Sequence, residues 1–296
     1  MPAQPMPGAE VEIDAALVRA LLAEQHPDLA RLDVGASASG WDNVMYRLGD
    51  DLVVRLPRRA LAAALIEHEQ RWLPELAARL PLPTSAPLRN GRPGHGYPWS
   101  WSVCRWLPGE SAAVHPPADL LRAAETLGRF LAAMHQPAPS DHPVNPYRGV
   151  PLADRYEITC ARVDQLGETI DHGAVRSLWD ELVATPVWDG PRLWLHGDLH
   201  PANLLVHDGR LSGVVDFGDL TGGDPANDLS VAWMLLPADA RDVLRAHAGH
   251  IDDATWARAR GWALALALAI LASSADNPVM RGVSQRTLDA VLTDNG

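Results

Sequence analysis

The sequence predicts an α+β protein with a small antiparallel-sheet lobe joined to a larger, mainly helical lobe. Three observations carry this. Short extended runs crowd residues 32–109, whereas apolar positions beyond about residue 117 recur almost everywhere at helical spacing. The chain has 296 residues, 47% hydrophobic and 21% charged, enough for one large domain or two closely joined ones with a substantial core. The two characters meet at Leu107, Pro108 and Gly109, where proline and glycine break the pattern. The expected division is an N-terminal lobe over 1–106 and a C-terminal lobe over 107–296.

Each element has its own signal. VEIDAALVRALLAEQ (11–25) shows helical spacing, with Asp14 available as a cap. LDVGASAS (32–39) reads as a short strand. NVMYRLGDDLVVRLP (43–57) places two extended runs around the turn residues GDD and reads as a hairpin. Helical periodicity returns over 60–79, and the stretch 81–109 is strand-like and broken by proline. Helices are expected over 117–135, 151–185, 226–248, 253–275 and 284–294, with strands near 193–196, 203–207 and 211–216. The segment HQPAPSDHPVNP (135–146) is proline-rich and has no periodicity.

Composition narrows the function classes. The net charge is −12, with 16 acids against 14 arginines in residues 1–150 and 21 against 11 in 151–296. That excess disfavours a nucleic-acid partner and suits a cationic small molecule, although a solvated acidic surface gives the same count. All 25 basic residues are arginine; the chain contains no lysine. The longest apolar run, Trp262 to Ala272, is short of the about 20 residues a membrane helix needs. The N-terminus MPAQPMPGAE has no basic start and no apolar core of a signal peptide. Cys104 and Cys160 form no disulfide framework or metal-ligand spacing, so a cytoplasmic location is the expectation.

The chemistry concentrates in WLHGDLHPANLLV (194–206), where His196, Gly197, Asp198, His200 and Asn203 interrupt two apolar runs. Ten residues on, LSGVVDFGDL (211–220) presents Asp216 at the end of a second strand. A hairpin would bring Asp198, Asn203 and Asp216 into one cleft. Phosphoryl transfer asks for that set. A metal with hard oxygen ligands neutralises phosphate charge, and a carboxylate is oriented on the attacking hydroxyl.

HGDLHPANLLV, VVDFGDL and GDPANDLS (223–230) together resemble the aminoglycoside phosphotransferase family, whose fold is similar to that of protein kinases. The resemblance extends upstream through WDNVMYRLGDDLVVRLPRR (41–59), EHEQRWLPEL (67–76) and GYPWSWSVCRWLPGE (96–110), about four-fifths of the chain. It implies a two-lobed protein-kinase-like fold with ATP and Mg2+ between the lobes. Asp198 then matches the catalytic base, Asn203 and Asp216 the magnesium ligands, and His196 and Asp228 the supports of the catalytic loop. GASASGWDN (35–43) resembles the loop over the ATP phosphates, with Ser37, Ser39 and Gly40 as candidate contacts.

Where the family places a lysine to hold the α and β phosphates, this chain has Arg55, with Glu69 as its expected partner and Glu67 as competitor. Arginine keeps the charge and adds a planar fork. SVCRWLPG resembles the interlobe hinge, where the carbonyl of Arg105 and the N–H of Leu107 would meet adenine. Cys104 would border the base, and its modest size favours ATP over GTP.

The implied activity is transfer of the γ-phosphoryl group to a hydroxyl of a small molecule, with an aminoglycoside-type antibiotic as the leading acceptor. The alternatives are a metabolite or macrolide kinase, or a nucleotide binder without turnover. Among carboxylates that could meet a cationic acceptor, Asp219 has a positional reason to face the cleft; Asp224 reads as a turn or cap residue, and Asp276 as a further candidate. Trp256 and Trp262 are candidates for the acceptor pocket. His200 reads as a supporting or surface residue, and both cysteines as buried small apolar groups.

Overall fold

The computed structural model describes residues 8–40, 42–274 and 276–294. Trp41, within the expected phosphate loop, lies outside the described residues.

Helix α1 (Ala15–Gln25) begins where Asp14 accepts a hydrogen bond from the Leu17 N–H at 2.7 Å, the cap its sequence offered. Strands β1 (Val34–Ser39), β2 (Asn43–Leu48) and β3 (Leu52–Pro57) follow, then helix α2 (Ala60–Ala77), β4 (Pro87–Gly91) and β5 (Trp101–Arg105). They form a five-stranded antiparallel sheet in the order β1-β2-β3-β5-β4.

Alternation along the strands decides what each face does. Val44, Tyr46, Leu48, Val54 and Leu56 pack with Val18, Leu21 and Leu22 of α1 in one apolar core. Their odd-numbered neighbours Asn43, Met45, Val53 and Arg55 line the cleft between the lobes. One face of the sheet therefore carries stability and the other carries chemistry.

After β6 (Glu110–Ser111) and α3 (Leu120–Met134), a tight helical turn at 152–155 leads into α4 (Tyr156–Leu166) and α5 (His172–Val183). The expected helix over 151–185 is thus two helices, parted at Gly167 with φ +49°. Strands β7 (Leu193–Leu195), β8 (Leu204–His207), β9 (Arg210–Val214) and β10 (Thr221–Gly223) frame the motif region. β7 pairs with β10, and β6, β8 and β9 form a second small sheet. The short strands β6 and β10 carry no alternating pattern long enough to be read in advance.

Helices α6 (Ala226–Leu229), α7 (Val231–Leu235), α8 (Ala238–His247), α9 (Asp253–Ser273) and α10 (Pro278–Thr293) complete the fold. α9 is apolar on nearly every side because α4, α5, α6 and α10 surround it. α10 begins at Pro278, six residues before the start expected from periodicity. Asn277 caps it by accepting from the Met280 N–H at 3.1 Å, and Pro278 occupies the first turn, where its missing N–H costs nothing.

The larger core reaches across the expected boundary at 106: Leu73 and Leu76 of α2 and Leu82 pack into it. Gly109 fits the joint for a steric reason. Its φ is +131°, and a Cβ there would lie 2.9 Å from both the Ser212 hydroxyl and the Val206 carbonyl. Among the described residues, no helix is long and apolar enough to cross a membrane.

Candidate functional site

The turn between β7 and β8 is built around Gly197, whose φ of +87° and tight approach to the Asp219 carbonyl leave no room for a Cβ. Asp228, fully buried, holds this turn from beneath by accepting from the His196 N–H at 2.7 Å and the Gly197 N–H at 2.9 Å. Asn227 donates to the Gly197 carbonyl at 2.9 Å.

The His196 ring accepts from the Asp198 N–H at 3.3 Å and sits 3.0 Å from the Val215 carbonyl, packed on Phe217. His196 and Asp228 both hydrogen-bond within this turn. Their bonds to the turn are to its backbone, and Asp228 is itself held by Asn227 and His135, so the turn is shaped by the protein alone.

Asn203 donates its amide N–H to the Asp198 carbonyl at 2.9 Å, which orients the amide oxygen away from that bond. Asp216 follows β9 in a left-handed conformation, φ +65°, a strained state for a residue with a Cβ. Its carboxylate is 58% exposed and 3.6 Å from Arg55. Asp198, Asn203 and Asp216 line one cavity of about 990 Å³ between the lobes.

On the sheet side of the cleft, Arg55 and Glu69 form a buried bidentate pair at 2.5 and 3.1 Å. Burial opposes the guanidinium charge, but Glu69 first, and Asp216 after it, more than restore it and raise the pKa of Arg55. Glu67 does not compete, since it accepts from the Ser100 hydroxyl at 3.1 Å.

A neighbouring pocket of about 330 Å³ is lined by Met45, Val53, Arg105, Trp106, Leu107 and Leu205, with Arg55, Asn203 and Asp216 at its inner end. Burial pushes the Cys104 thiol up to about 12, so it stays neutral. Ser39 and Gly40 reach the large cavity. Ser37 sits within β1 opposite Tyr46 and lines neither pocket.

The side of the cavity around Arg148 departs most from expectation. Arg148, in the stretch following the proline-rich segment, donates to Asp198 at 2.6 Å and to Asp219 at 3.2 Å. His200 is half-buried, with Nδ1 accepting from the Ala202 N–H and Nε2 3.3 Å from Asp198. Burial alone would raise the Asp198 pKa; Arg148 first, then His200, reverse this and hold the carboxyl well below its usual range. His200 is therefore an inward-facing neighbour of the Asp198 carboxylate, which fits the supporting reading of it and not the surface one. Its proline-flanked loop position gave no hint, because the β7–β8 turn folds it inward.

Asp219 is committed to Arg148 and to Asn145, which donates to it at 2.7 Å, and it does not line the cavity. Asp276 does line it. Asp224 accepts from the Ala226 N–H as the expected cap and also binds Arg258 at 2.7 Å. Trp262 is core, and Trp256 packs on Trp233; neither lines the cavity. Arg162 and Gln165 of α4 line it without any sequence signal, since their place depends on how α4 packs against α9.

A family model described as the phosphotransferase enzyme family matches residues 33–262. No curated protein matches the chain. Among solved structures, the GDP complex of wild-type aminoglycoside 2'-phosphotransferase-IIIa is 19% identical, covering 96% of this chain and 100% of that one, with a TM-score of 0.70. The macrolide 2'-phosphotransferase MphH from Brachybacterium faecium is 21% identical over 96% of this chain and 99% of its own, with a TM-score of 0.60. The streptomycin and ATP ternary complex of APH(2")-IIa is 16% identical over 88% and 91%, with a TM-score of 0.61. At these identities the likeness is one of fold: the two-lobed, kinase-like arrangement described above.

Proposed function

The chain belongs to the phosphotransferase enzyme family and is a small-molecule kinase, and from that premise we propose that it transfers the γ-phosphoryl group of ATP to a hydroxyl of a small molecule at Asp198. The single observation that carries this reading is the convergence of Asp198, Asn203 and Asp216 on one cavity that opens beside the Arg55–Glu69 pair.

The adenine would enter the smaller pocket at Arg105 and Leu107, with its phosphates directed toward Arg55, Ser39 and Gly40. Asp198 is held ionised, so it orients the acceptor hydroxyl and takes its proton as the oxygen bonds to the γ-phosphorus and the bond to the β-phosphate oxygen breaks, releasing ADP. Arg148 holds that carboxylate in place. Arg55 offsets charge on the leaving phosphates.

The donor set suits Mg2+. The exposed carboxylate of Asp216 and the amide oxygen of Asn203 are hard ligands, and an ion that keeps much of its water needs little more from the protein. When bound, the ion would neutralise phosphate charge.

Solved neighbours in complex with kanamycin, gentamicin and streptomycin make aminoglycosides the first acceptors to try. A second reading, a kinase for another class of metabolite, is favoured by arginines on the acceptor wall. The test is a mass-spectrometric screen of aminoglycosides, macrolides, hydroxy acids and amino alcohols for one added phosphoryl group, with Asp198→Ala as the blank. Product from wild type alone is expected. Equal, negligible ATP consumption by both proteins across the screen would leave a nucleotide binder without turnover.

A further inference from the structure

The wall of the cavity carries Arg148 and Arg162, with Arg155 near Arg162 but outside the lining, and internal ion pairing engages only Arg148. Arg155 and Arg162 lie seven residues apart, two turns of helix, and so share one face of the segment leading through α4. Thr159, Cys160 and Val163 are the buried positions of α4, with Thr159 adjoining the arginine face.

Among the described residues, no carboxylate lies within ion-pair distance of Arg155 or Arg162, and neither guanidinium makes a hydrogen bond to the protein. Arg155 stacks over Tyr147, with its Nε buried and unpartnered. Arg162 lines the cavity beside Arg148 and Gln165. A half-buried cation without a partner is costly, and a chain with an overall charge of −12 has many carboxylates that a structural role would have recruited.

The opposing charges do not cancel this patch. Asp198 and Asp219 are both engaged by Arg148. Asp216 also borders the cavity but lies 3.6 Å from Arg55. Asp276, on the connection between α9 and α10, is exposed, so solvent screens its field. Burial, followed by repulsion from Arg155 and Arg148, pushes the Arg162 guanidinium down to about 10, still charged at neutral pH but short of an anion.

We propose that the acceptor of this kinase carries an anionic oxygen group, a carboxylate or a phosphate, which docks on Arg162 with Arg155 behind it while its hydroxyl lies at Asp198. Guanidinium forks match both groups bidentately, and Gln165 supplies a neutral donor beside them. The proposal rests on the reading of the cavity as the acceptor site of a kinase. It departs from the cationic acceptor that the acidity of residues 151–296 suggested, because that acidity lies mostly outside the cavity.

The test uses the full chain saturated with Mg2+ and a non-hydrolysable ATP analogue, so that the phosphate subsites are filled, with inorganic sulfate as the probe. Calorimetry should show saturable sulfate binding, weakened about tenfold in Arg162→Gln, as expected for loss of a charged hydrogen-bonding partner. No saturable binding to the nucleotide-loaded chain, or equal binding by both proteins, overturns the proposal. If the analogue itself does not bind in the preceding titration, the kinase reading of the cleft fails instead, and the two failures are thereby distinguished.

Glucuronate, glucose 6-phosphate and glucosamine are then competed against sulfate. The tighter of the two anions identifies the group the cluster takes. Glucosamine as the strongest competitor, or displacement by neither anion, overturns the proposal. Circular dichroism of Arg162→Gln, matched to wild type, separates loss of the site from loss of the fold.

Discussion

Two arginine sites border neighbouring cavities of the cleft, and they are built in opposite ways. Arg55 is buried and held by both oxygens of Glu69, so its geometry is complete before any nucleotide arrives. Arg148, Arg155 and Arg162 make up the other, half-buried, with only Arg148 satisfied by carboxylates. The same side chain thus serves as a fixed clamp in one place and as an open contact in the other. A buried pair resists change because breaking it strands a charge, whereas an unpaired cation waits on a ligand.

The sharpest way to break the comparison is at the clamp. Glu69→Ala leaves Arg55 buried without its partner and should cost about 3–5 kcal/mol of unfolding free energy, read by urea denaturation monitored through tryptophan fluorescence. A loss below about 1 kcal/mol would mean that solvent reaches Arg55 and that the two arginine sites are not different in kind.

Arg148→Ala acts on the acceptor side through Asp198. With Arg148 present the carboxyl is held below its ordinary range, so its stabilising contribution is present above the unfolded pKa and is lost only as pH falls toward the lower folded value. Removing Arg148 lets burial dominate and raises that pKa. The active form is the carboxylate, so the acid limb of the pH profile of kcat/KM should move to higher pH. An unmoved limb would show that Arg148 does not govern Asp198.

Arg162→Gln should leave unfolding free energy within about 0.5 kcal/mol of wild type, as for a surface substitution that breaks no structural contact. Measured beside Glu69→Ala in the same denaturant series, it sharpens the contrast between clamp and open contact. The smallest effect is expected at Glu67→Gln, two residues from Glu69. Its partner is the exposed Ser100 hydroxyl, so both stability and nucleotide affinity should be unchanged.

The comparison also shows which features were legible in the sequence. Arg55 and Glu69 were readable because one lies mid-strand and the other in the next helix, within a motif of fixed order. Asp198, Asn203 and Asp216 were readable for the same reason, since a turn and a hairpin bring them together over 19 positions of chain. Strand alternation and the Asp14 cap made most of the small lobe accessible.

Arg148 and Arg162 were not readable. Arg148 follows a stretch without periodicity, and Arg162 is a single polar position on an amphipathic helix whose orientation depends on its packing against α9. His200 left two readings open, supporting or surface, because the inward fold of its loop comes from contacts to residues distant in sequence. The two-residue strand β6 and the early start of α10 were missed because a two-residue pairing and a capping turn leave almost no trace in hydrophobic spacing.

The central claim is that phosphoryl transfer depends on the Asp198 carboxylate within a preformed turn. Asp198→Asn keeps the size of the side chain and removes only the charge, so the most direct measurement pairs its steady-state rate with its nucleotide affinity. The account predicts a fall in kcat of roughly 10²–10⁴-fold, with the dissociation constant for MgATP unchanged. Turnover at the wild-type rate by the asparagine variant, with the nucleotide bound equally well, would contradict it.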